Sequence, residues 1–408
     1  MTLYEELKWR GLIKDVISPE LENKLNNEKL TFYIGTDPTA DSMHIGHYSS
    51  FLIAKRLAKA GHKPLLLIGG ATGRIGDPRP TTEREMKSIE EIEKNTKNLK
   101  KQAEEIFGFE VVDNYDWIKN INIIEFLRDY GKYFNINYML DKDIIRRRLE
   151  TGITFTEFSY MLLQSLDFLH LHETRGVNLQ VAGSDQWGNI TSGVDLIRKK
   201  LGDEVYAFTM PLILDQNGKK FGKSEGNALW LDKNKTSSYE LYQYLINTDD
   251  SMIESYLKVF TFLSPEEIMD IVSKHNNEPH LRLGQKTLAR EIITDLHGKE
   301  EYEKAVQISE NLFSGNIKEI NVNDLMIGLK DVPHFILKDE SLLDLLVNNN
   351  ICSSKREARE FLGNNAISVN GEIINDENMF IDKTKTIEGK IVVIRRGKKK
   401  YYVGLVEE

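Results

Sequence analysis

The chain has 408 residues, more than a single small core uses, so two or three domains are expected. Its net charge of −9 and ordinary apolar and aromatic content fit a soluble globular protein and argue against a general nucleic-acid binder. One cysteine, Cys352, excludes an intrachain disulfide framework, no stretch approaches the ~18 apolar residues of a membrane span, and Glu5 and Glu6 stand where a leader peptide would need an apolar core.

Short apolar runs closed by Gly or turn residues predict strands buried on both faces: LTFYIG (30–35), KPLLLIGG (63–70), NLQVAG (178–183) and AFTMPLIL (207–214). Between the first two, HIGHYSSFLIAKRLAKAG carries Ile45, Tyr48, Phe51 and Leu52 near helical spacing, with Gly61 as its stop. Strand, crossover helix and strand predict a doubly wound, Rossmann-like parallel sheet with ligands at the carboxyl ends of its strands. Residues 112–150 are rich in aromatics, and 238–312 turns helical, with Ser264-Pro265-Glu266-Glu267 as a clean helix start. After a looser stretch, SSKREAREFL predicts a short basic helix and AISVNGEII a hairpin turning at Asn370-Gly371. The expected α/β organisation is a Rossmann-like domain over 1–225, an all-helical domain over 226–315, a linker over 316–340 and a small α+β domain over 341–408. That last segment is basic: from residue 351 on, 11 Lys and Arg stand against 9 Asp and Glu.

Three constellations carry chemistry. In DPTADSMHIGHYSS (37–50), His44 and His47 sit at a helix start, where unpaired amides and the helix dipole attract phosphate. Thr39 adds a hydroxyl, and Gly46 leaves room for a flat ring against the backbone. Downstream, DQNGKKFGKSEGN (215–227) is a glycine-rich loop whose Lys220 and Lys223 could clamp a polyphosphate as charge moves to its leaving end. In TFTEFSYMLLQSLDFLHL (154–171), Tyr160, Gln164 and Asp167 share one face of an apolar helix, a polar stripe that needs partners. Tyr33, at the end of the first strand, faces the same crevice, and Asp185 and Gln186 follow another strand in GSDQWGN. Singly, each has a plain reading: a helix cap, a solvated basic turn, an internal hydrogen-bond network.

Together, HIGH followed by KFGKS resembles the class I aminoacyl-tRNA synthetases. YIGTDPTADSMHIGH, GGATGRIGDP, NYDW, FTEFSYMLLQSLDF, GSDQWGNI, KFGKS and INTDD sharpen the resemblance to the bacterial tyrosyl-tRNA synthetase family, over about 30–250. The resemblance implies a cytoplasmic, homodimeric enzyme that joins L-tyrosine to ATP and passes it to tRNA(Tyr), with Mg²⁺ on the ATP, no metal ligands from the chain and no membrane partner. It assigns the substrate phenol to Tyr33 and Asp167. It assigns the α-ammonium to Tyr160 and Gln164 with Thr72 and Asp77, the carboxylate to Gln186 and the ribose to Asp185. Thr39, His44, Gly46 and His47 would meet ATP, with Lys220, Lys223 and Ser224 as the mobile loop and Lys223 on the phosphates. After GDP the family has a lysine and then an arginine. Arg84 fits the arginine if one residue is dropped, while the lysine position falls on Thr81 or Thr82, so either Arg79 replaces it or the contact is missing. The C-terminal segment resembles an S4-type RNA-binding domain. Its tRNA contacts would be Lys355, Arg356, Arg359, Arg395, Arg396 and Lys398, with aromatic Tyr401 and Tyr402 beside them. The dimer would form through 112–150. Two other readings, a different HxGH nucleotidyltransferase and a non-catalytic RNA-binding relative, account for fewer of these features.

Overall fold

A computed structural model describes residues 1–79, 82, 84–224, 227–397 and 400–407, and the side chains of residues 223, 224 and 227 fall outside that description. Strands β1 (Thr31–Thr36), β2 (Lys63–Ile68), β3 (Val111–Asp113), β4 (Leu179–Gly183) and β5 (Tyr206–Met210) form one sheet in the order β3-β2-β1-β4-β5, every neighbouring pair parallel. The four predicted strands are in place. β3 has no counterpart in the sequence reading because three residues are too few to show a period. Phe32, Ile34, Leu66, Ile68, Leu179, Val181 and Phe208 are buried, as expected of strands covered on both faces. The strand order reverses between β1 and β4, so their carboxyl ends form the switch point at which a crevice opens.

Helices α1 (Ile45–Lys59), α2 (Ile89–Phe107), α3 (Asp143–Leu149), α4 (Phe155–Arg175) and α5 (Trp187–Leu201) lie between these strands in sequence. α1 buries its predicted stripe, Ile45, Tyr48, Phe51 and Leu52, with Phe51 edge-on to Phe107 of α2 at 5.3 Å. α4 starts at Thr154, whose hydroxyl accepts the Glu157 amide, and stops at left-handed Gly176.

The chain forms two compact units, one of residues 1–236 and 248–288, the other of 237–247 and 289–408. The helices expected over 238–312 are present but divide between the two. In the first unit, α6 (Ile253–Phe260) lies against α1: Tyr48 stacks on Phe260 at 6.4 Å, and the Arg56 guanidinium donates to the carbonyls of Val259 and Thr261. In the second, Ser238–Ile246 packs on Lys299–Ser314, with Tyr242 edge-on to Tyr302 at 6.2 Å.

The second unit also holds a five-stranded sheet of β6 (His334–Ile336), β7 (Ile367–Val369), β8 (Glu372–Ile373), β9 (Ile391–Arg396) and β10 (Lys400–Leu405), in the order β8-β7-β9-β10-β6. Leu342, Leu345, Leu346, Ile351, Leu362 and Ile394 form its core with the helix Lys355–Gly363. The stretch 316–340, expected to be a linker, is structured: Val322–Gly328 is a helix and β6 pairs parallel with β10. Val322, Leu325 and Leu329 supply the buried face, at a spacing too short to stand out among the Asn and Asp residues around them.

The β7–β8 hairpin turns where predicted. Asn370 and Gly371 have φ of 48° and 87°, the pair of left-handed residues that a two-residue type I′ turn requires. A Cβ on Gly371 would stand 2.6 Å from the Gly315 carbonyl oxygen. Gly371→Ala should therefore destabilise the second unit by about 1–3 kcal/mol, read as faster hydrogen exchange at β7 and β9 with exchange at β1 and β4 unchanged.

Candidate active site

One crevice of about 390 Å³ at the carboxyl ends of β1 and β4 is lined by most of the residues singled out from the sequence. Tyr33, Thr39, His44, Gly46, His47, Thr72, Asp77, Arg84, Tyr160, Gln164, Asp167, Asp185, Gln186 and Lys220 all face it. The side chains of Lys223 and Ser224 lie outside the described residues, as do Thr81 and Lys398.

Three carboxylates organise the floor, Asp167 buried and Asp37 and Asp77 half-buried. Asp37, at the end of β1, accepts from the Thr72 hydroxyl at 2.7 Å and the Tyr160 hydroxyl at 2.9 Å. Asp77 accepts from Gln186 Nε2 at 2.7 Å and Asn189 Nδ2 at 3.1 Å. Asp167 accepts from Asn114 Nδ2 at 3.0 Å and Trp117 Nε1 at 2.9 Å, and Asn114 also donates to Thr72 at 3.0 Å. Burial holds all three above the usual carboxylate range; the neutral donors oppose it only in part, and Asp77 stands at about 6 and Asp167 at about 8. Near Asp167, the Tyr33 hydroxyl is buried with no hydrogen-bond partner among the described residues, and burial and the Asp167 charge push its ionisation well up.

Sequence reasoning missed Asp37, Asn114, Trp117 and Asn189. Their stretches were legible, DPTAD, NYDW and GSDQWGN, but nothing local said that these residues hold the others in place. Tyr160 and Thr72, expected on the substrate, donate here to Asp37.

His44 and His47 both act as caps and both line the crevice. His44 Nδ1 accepts the Gly46 amide at 3.1 Å, His47 Nδ1 accepts the His44 amide at 3.1 Å, and the rings stack at 3.9 Å. A neutral imidazole that accepts at Nδ1 carries its proton on Nε2. Burial, with His44 beside it, lowers His47 to about 3, so it stays neutral. The helix amides expected to meet an anion are engaged already: Ile45 donates to the Leu229 carbonyl at 2.9 Å and His47 to that of His44 at 2.8 Å. The space at Gly46 belongs to the His44 ring, since a Cβ there would be 2.8 Å from His44 Cε1.

The two signature motifs are in contact. Gly222 has φ of 81°, and a Cβ there would fall 1.8 Å from Ile45 Cγ2. Leu229 bridges Gly222 and Ile45 by backbone hydrogen bonds, and Leu231 donates to Met43. Phe221 is buried against Tyr256 and Phe260, at 4.6 and 4.9 Å, while exposed Lys220 reaches the crevice. Arg84 lines the crevice with its Nε donating to the Asp77 carbonyl at 2.7 Å, whereas Arg79 is exposed and outside the lining.

In the C-terminal segment, the cations assigned to RNA are largely engaged within their own unit. Lys355 pairs with Asp344 at 2.6 Å, Arg359 with Glu377 at 2.5 Å, and Arg396 donates to the Ile351 carbonyl and lies 5.2 Å from the Phe361 ring. Arg395 packs against Gly315, while Arg356 is exposed. Tyr401 and Tyr402, expected beside RNA, are packing residues: Tyr401 donates to the Leu312 carbonyl at 2.5 Å and Tyr402 lies against the Leu342–Leu346 core.

Comparison with known proteins fits this geometry. The profile described as "tRNA synthetases class I (W and Y)" matches residues 25–314, and that of the "Tyrosine--tRNA ligase SYY-like C-terminal domain" matches 324–404. The tyrosine–tRNA ligase of Listeria monocytogenes serotype 4a is 49% identical over 415 aligned positions, covering 99% of both chains, and that of Macrococcus caseolyticus is 49% identical over 98% of both. A C-terminally truncated mitochondrial tyrosyl-tRNA synthetase of Aspergillus nidulans superposes with a TM-score of 0.67 at 34% identity, covering 76% of this chain and 94% of that one. Among the described residues no helix is long and apolar enough to cross a membrane. The chain belongs to the tyrosine–tRNA ligases, within the class I aminoacyl-tRNA synthetases.

Proposed function

We propose that the crevice between β1 and β4 joins L-tyrosine to ATP, releasing pyrophosphate, and then passes the tyrosyl group to the 3′ end of tRNA(Tyr). The observation that carries the choice of amino acid is the orphaned Tyr33 hydroxyl near Asp167. A substrate phenol between them would accept from the one and donate to the other. Phenylalanine would leave the buried Tyr33 hydroxyl unsatisfied, which costs about 1–3 kcal/mol, and would forgo the bond to Asp167.

The α-ammonium goes to the Tyr160 oxygen, Gln164 and Asp77, with Thr72 and Asp37 behind them. Gln186 lies by the substrate carboxylate and Asp185 by the ribose. ATP, with Mg²⁺ on its phosphates as part of the substrate, lies along Thr39, Gly46 and the two histidines. The carboxylate attacks the α-phosphorus in line and pyrophosphate leaves, so the protein supplies placement and charge rather than proton transfer. His44 and His47 donate from Nε2 to phosphate oxygens. Lys220, Lys223, Ser224 and Arg84 follow the charge onto the leaving group.

The tRNA binds through the helical stretch 226–315 and the C-terminal segment 341–408. Arg356, Arg395 and Lys398 join Lys355, Arg359 and Arg396 there, the latter three exchanging their intramolecular partners for phosphates. The enzyme works in the cytoplasm as a homodimer. Support for the dimer lies in a run of exposed apolar residues over 123–155, among them Ile123 at 63%, Ile124 at 64% and Phe155 at 72% exposure.

Tyrosine-dependent exchange of pyrophosphate into ATP tests the activity. His47→Ala should slow adenylate formation ~100-fold, in line with loss of one preorganised donor, with tyrosine affinity nearly unchanged; an unchanged rate would remove His47 from the mechanism. Tyrosine binding should depend on pH with a definite sign. Asp77 ionises near 6, so affinity should fall about tenfold per unit below that pH as the ammonium loses its partner. Raised carboxyls favour the protonated folded form, so Asp77 and Asp167 take stability from the empty protein as pH rises from near 3.8 towards about 6 and about 8. The rise in melting temperature on adding tyrosine should therefore be larger at pH 8 than at pH 5. For the dimer, Ile124→Asp should shift the sedimentation equilibrium towards monomer, and an unshifted dimer would exclude this surface.

A further inference from the structure

We propose that Arg148 is a positioning residue for the ATP half of the reaction, a strut that holds the Arg79 and Thr82 carbonyls to the first turn of α4. The inference rests on the activity proposed above.

Arg148 lies on α3, is 3% exposed and does not line the crevice. Its guanidinium is nonetheless spent on five acceptors. Nη2 donates to Glu157 Oε2 at 2.8 Å, and Nη1 meets Glu157 Oε1 at 3.4 Å. Nη1 also donates to the carbonyls of Arg79 at 3.0 Å and Thr82 at 3.1 Å, and Nε to that of Gly152 at 3.1 Å. The Arg79 and Thr82 carbonyls belong to the segment that starts at Asp77, under the amino acid, and ends at Arg84, on the crevice wall. Glu157, 2% exposed, opens the helix that carries Tyr160, Gln164 and Asp167. One fork of donors thus ties Arg79 and Thr82, two positions from Asp77 and from Arg84 respectively, to the helix bearing the tyrosine site.

Stability alone is a poor explanation for this arrangement. A buried ion pair gains little over apolar residues of the same volume, because both charges leave water. What an apolar pair could not do is hold two loop carbonyls at fixed distances. Lysine could not do it either, since a point charge cannot span carbonyls and both carboxylate oxygens together.

The test uses the full-length chain. Arg148→Met alone would strand the Glu157 charge, so the informative variant is R148M/E157M, with R148K beside it. Measured are the adenylate-formation rate constant, the KM for ATP, tyrosine affinity by equilibrium dialysis and the melting temperature. The expected result for R148M/E157M is a ~10- to 100-fold loss in the ATP-dependent rate or KM, with tyrosine affinity held within ~2-fold and melting near wild type. R148K should recover little of the ATP dependence. Wild-type ATP kinetics in the double variant would overturn the proposal, and so would parallel losses of tyrosine affinity and melting temperature, the mark of a merely structural pair. A wild-type chain without tyrosine-dependent exchange would overturn the underlying activity instead, and the strut with it.

Discussion

Asp37, Asp77 and Asp167 stand around one crevice, Asp167 buried and the other two half-buried, and among the described residues each accepts from neutral donors: hydroxyls, amides and an indole. Neutral donors orient a carboxylate but do not cancel its charge, and burial raises the cost of leaving it uncancelled. Arg84, on the crevice wall, offsets part of that cost at Asp37 and Asp77, yet burial still holds both carboxyls above their usual range. A ligand that brings its own cation would offset more of it. The same bonds that make the empty site costly fix its geometry, so stability is given up for a preformed receptor.

That receptor depends on elements that cannot easily shift. Asp37 ends a strand paired on both sides, and Tyr160 and Asp167 project from a 21-residue helix packed against α5. Asn114 follows β3 and binds both Thr72 and Asp167, tying the turn after β2 to α4. The switch point of the sheet therefore does more than leave a gap. It brings the ends of β1 and β4 and the turn after β2 to one place, where their side chains can share hydrogens.

The periodic part of the structure was legible from the sequence because its signals are local. The strands showed as apolar runs, α1 as a stripe at Ile45, Tyr48, Phe51 and Leu52, and the hairpin as Asn370-Gly371. The hydrogen-bond shell was not legible, because its partners stand far apart in the chain: Thr72 and Asp37 by 35 positions, Tyr160 and Asp37 by 123. No periodicity relates residues at such separations. The same limit explains Tyr401 and Tyr402, where aromatics beside a lysine run suggested a nucleic-acid surface but the fold turned the rings into its own core. It also explains the helical region, whose helices were visible while their division between two units depended on contacts such as Tyr48 with Phe260.

HIGH and KFGKS lie 176 positions apart, from His44 to Lys220, yet they behave as one piece of structure. Glycine at 222 allows the Ile45 side chain to lie where a Cβ would be, and backbone bonds through Leu229 and Leu231 lock the return of the loop to the start of α1. Phe221 anchors the stem between Tyr256 and Phe260. An anchor so close to the histidines constrains where the loop can stand. Gly218 and Gly222 both lie in the left-handed region, and the contacts at Gly222 keep the stem beside the imidazoles. The two imidazoles and exposed Lys220 thus line one crevice at a fixed junction of the two motifs. Groups held this way could meet charge on a phosphate without first being assembled, because the fold already sets their places.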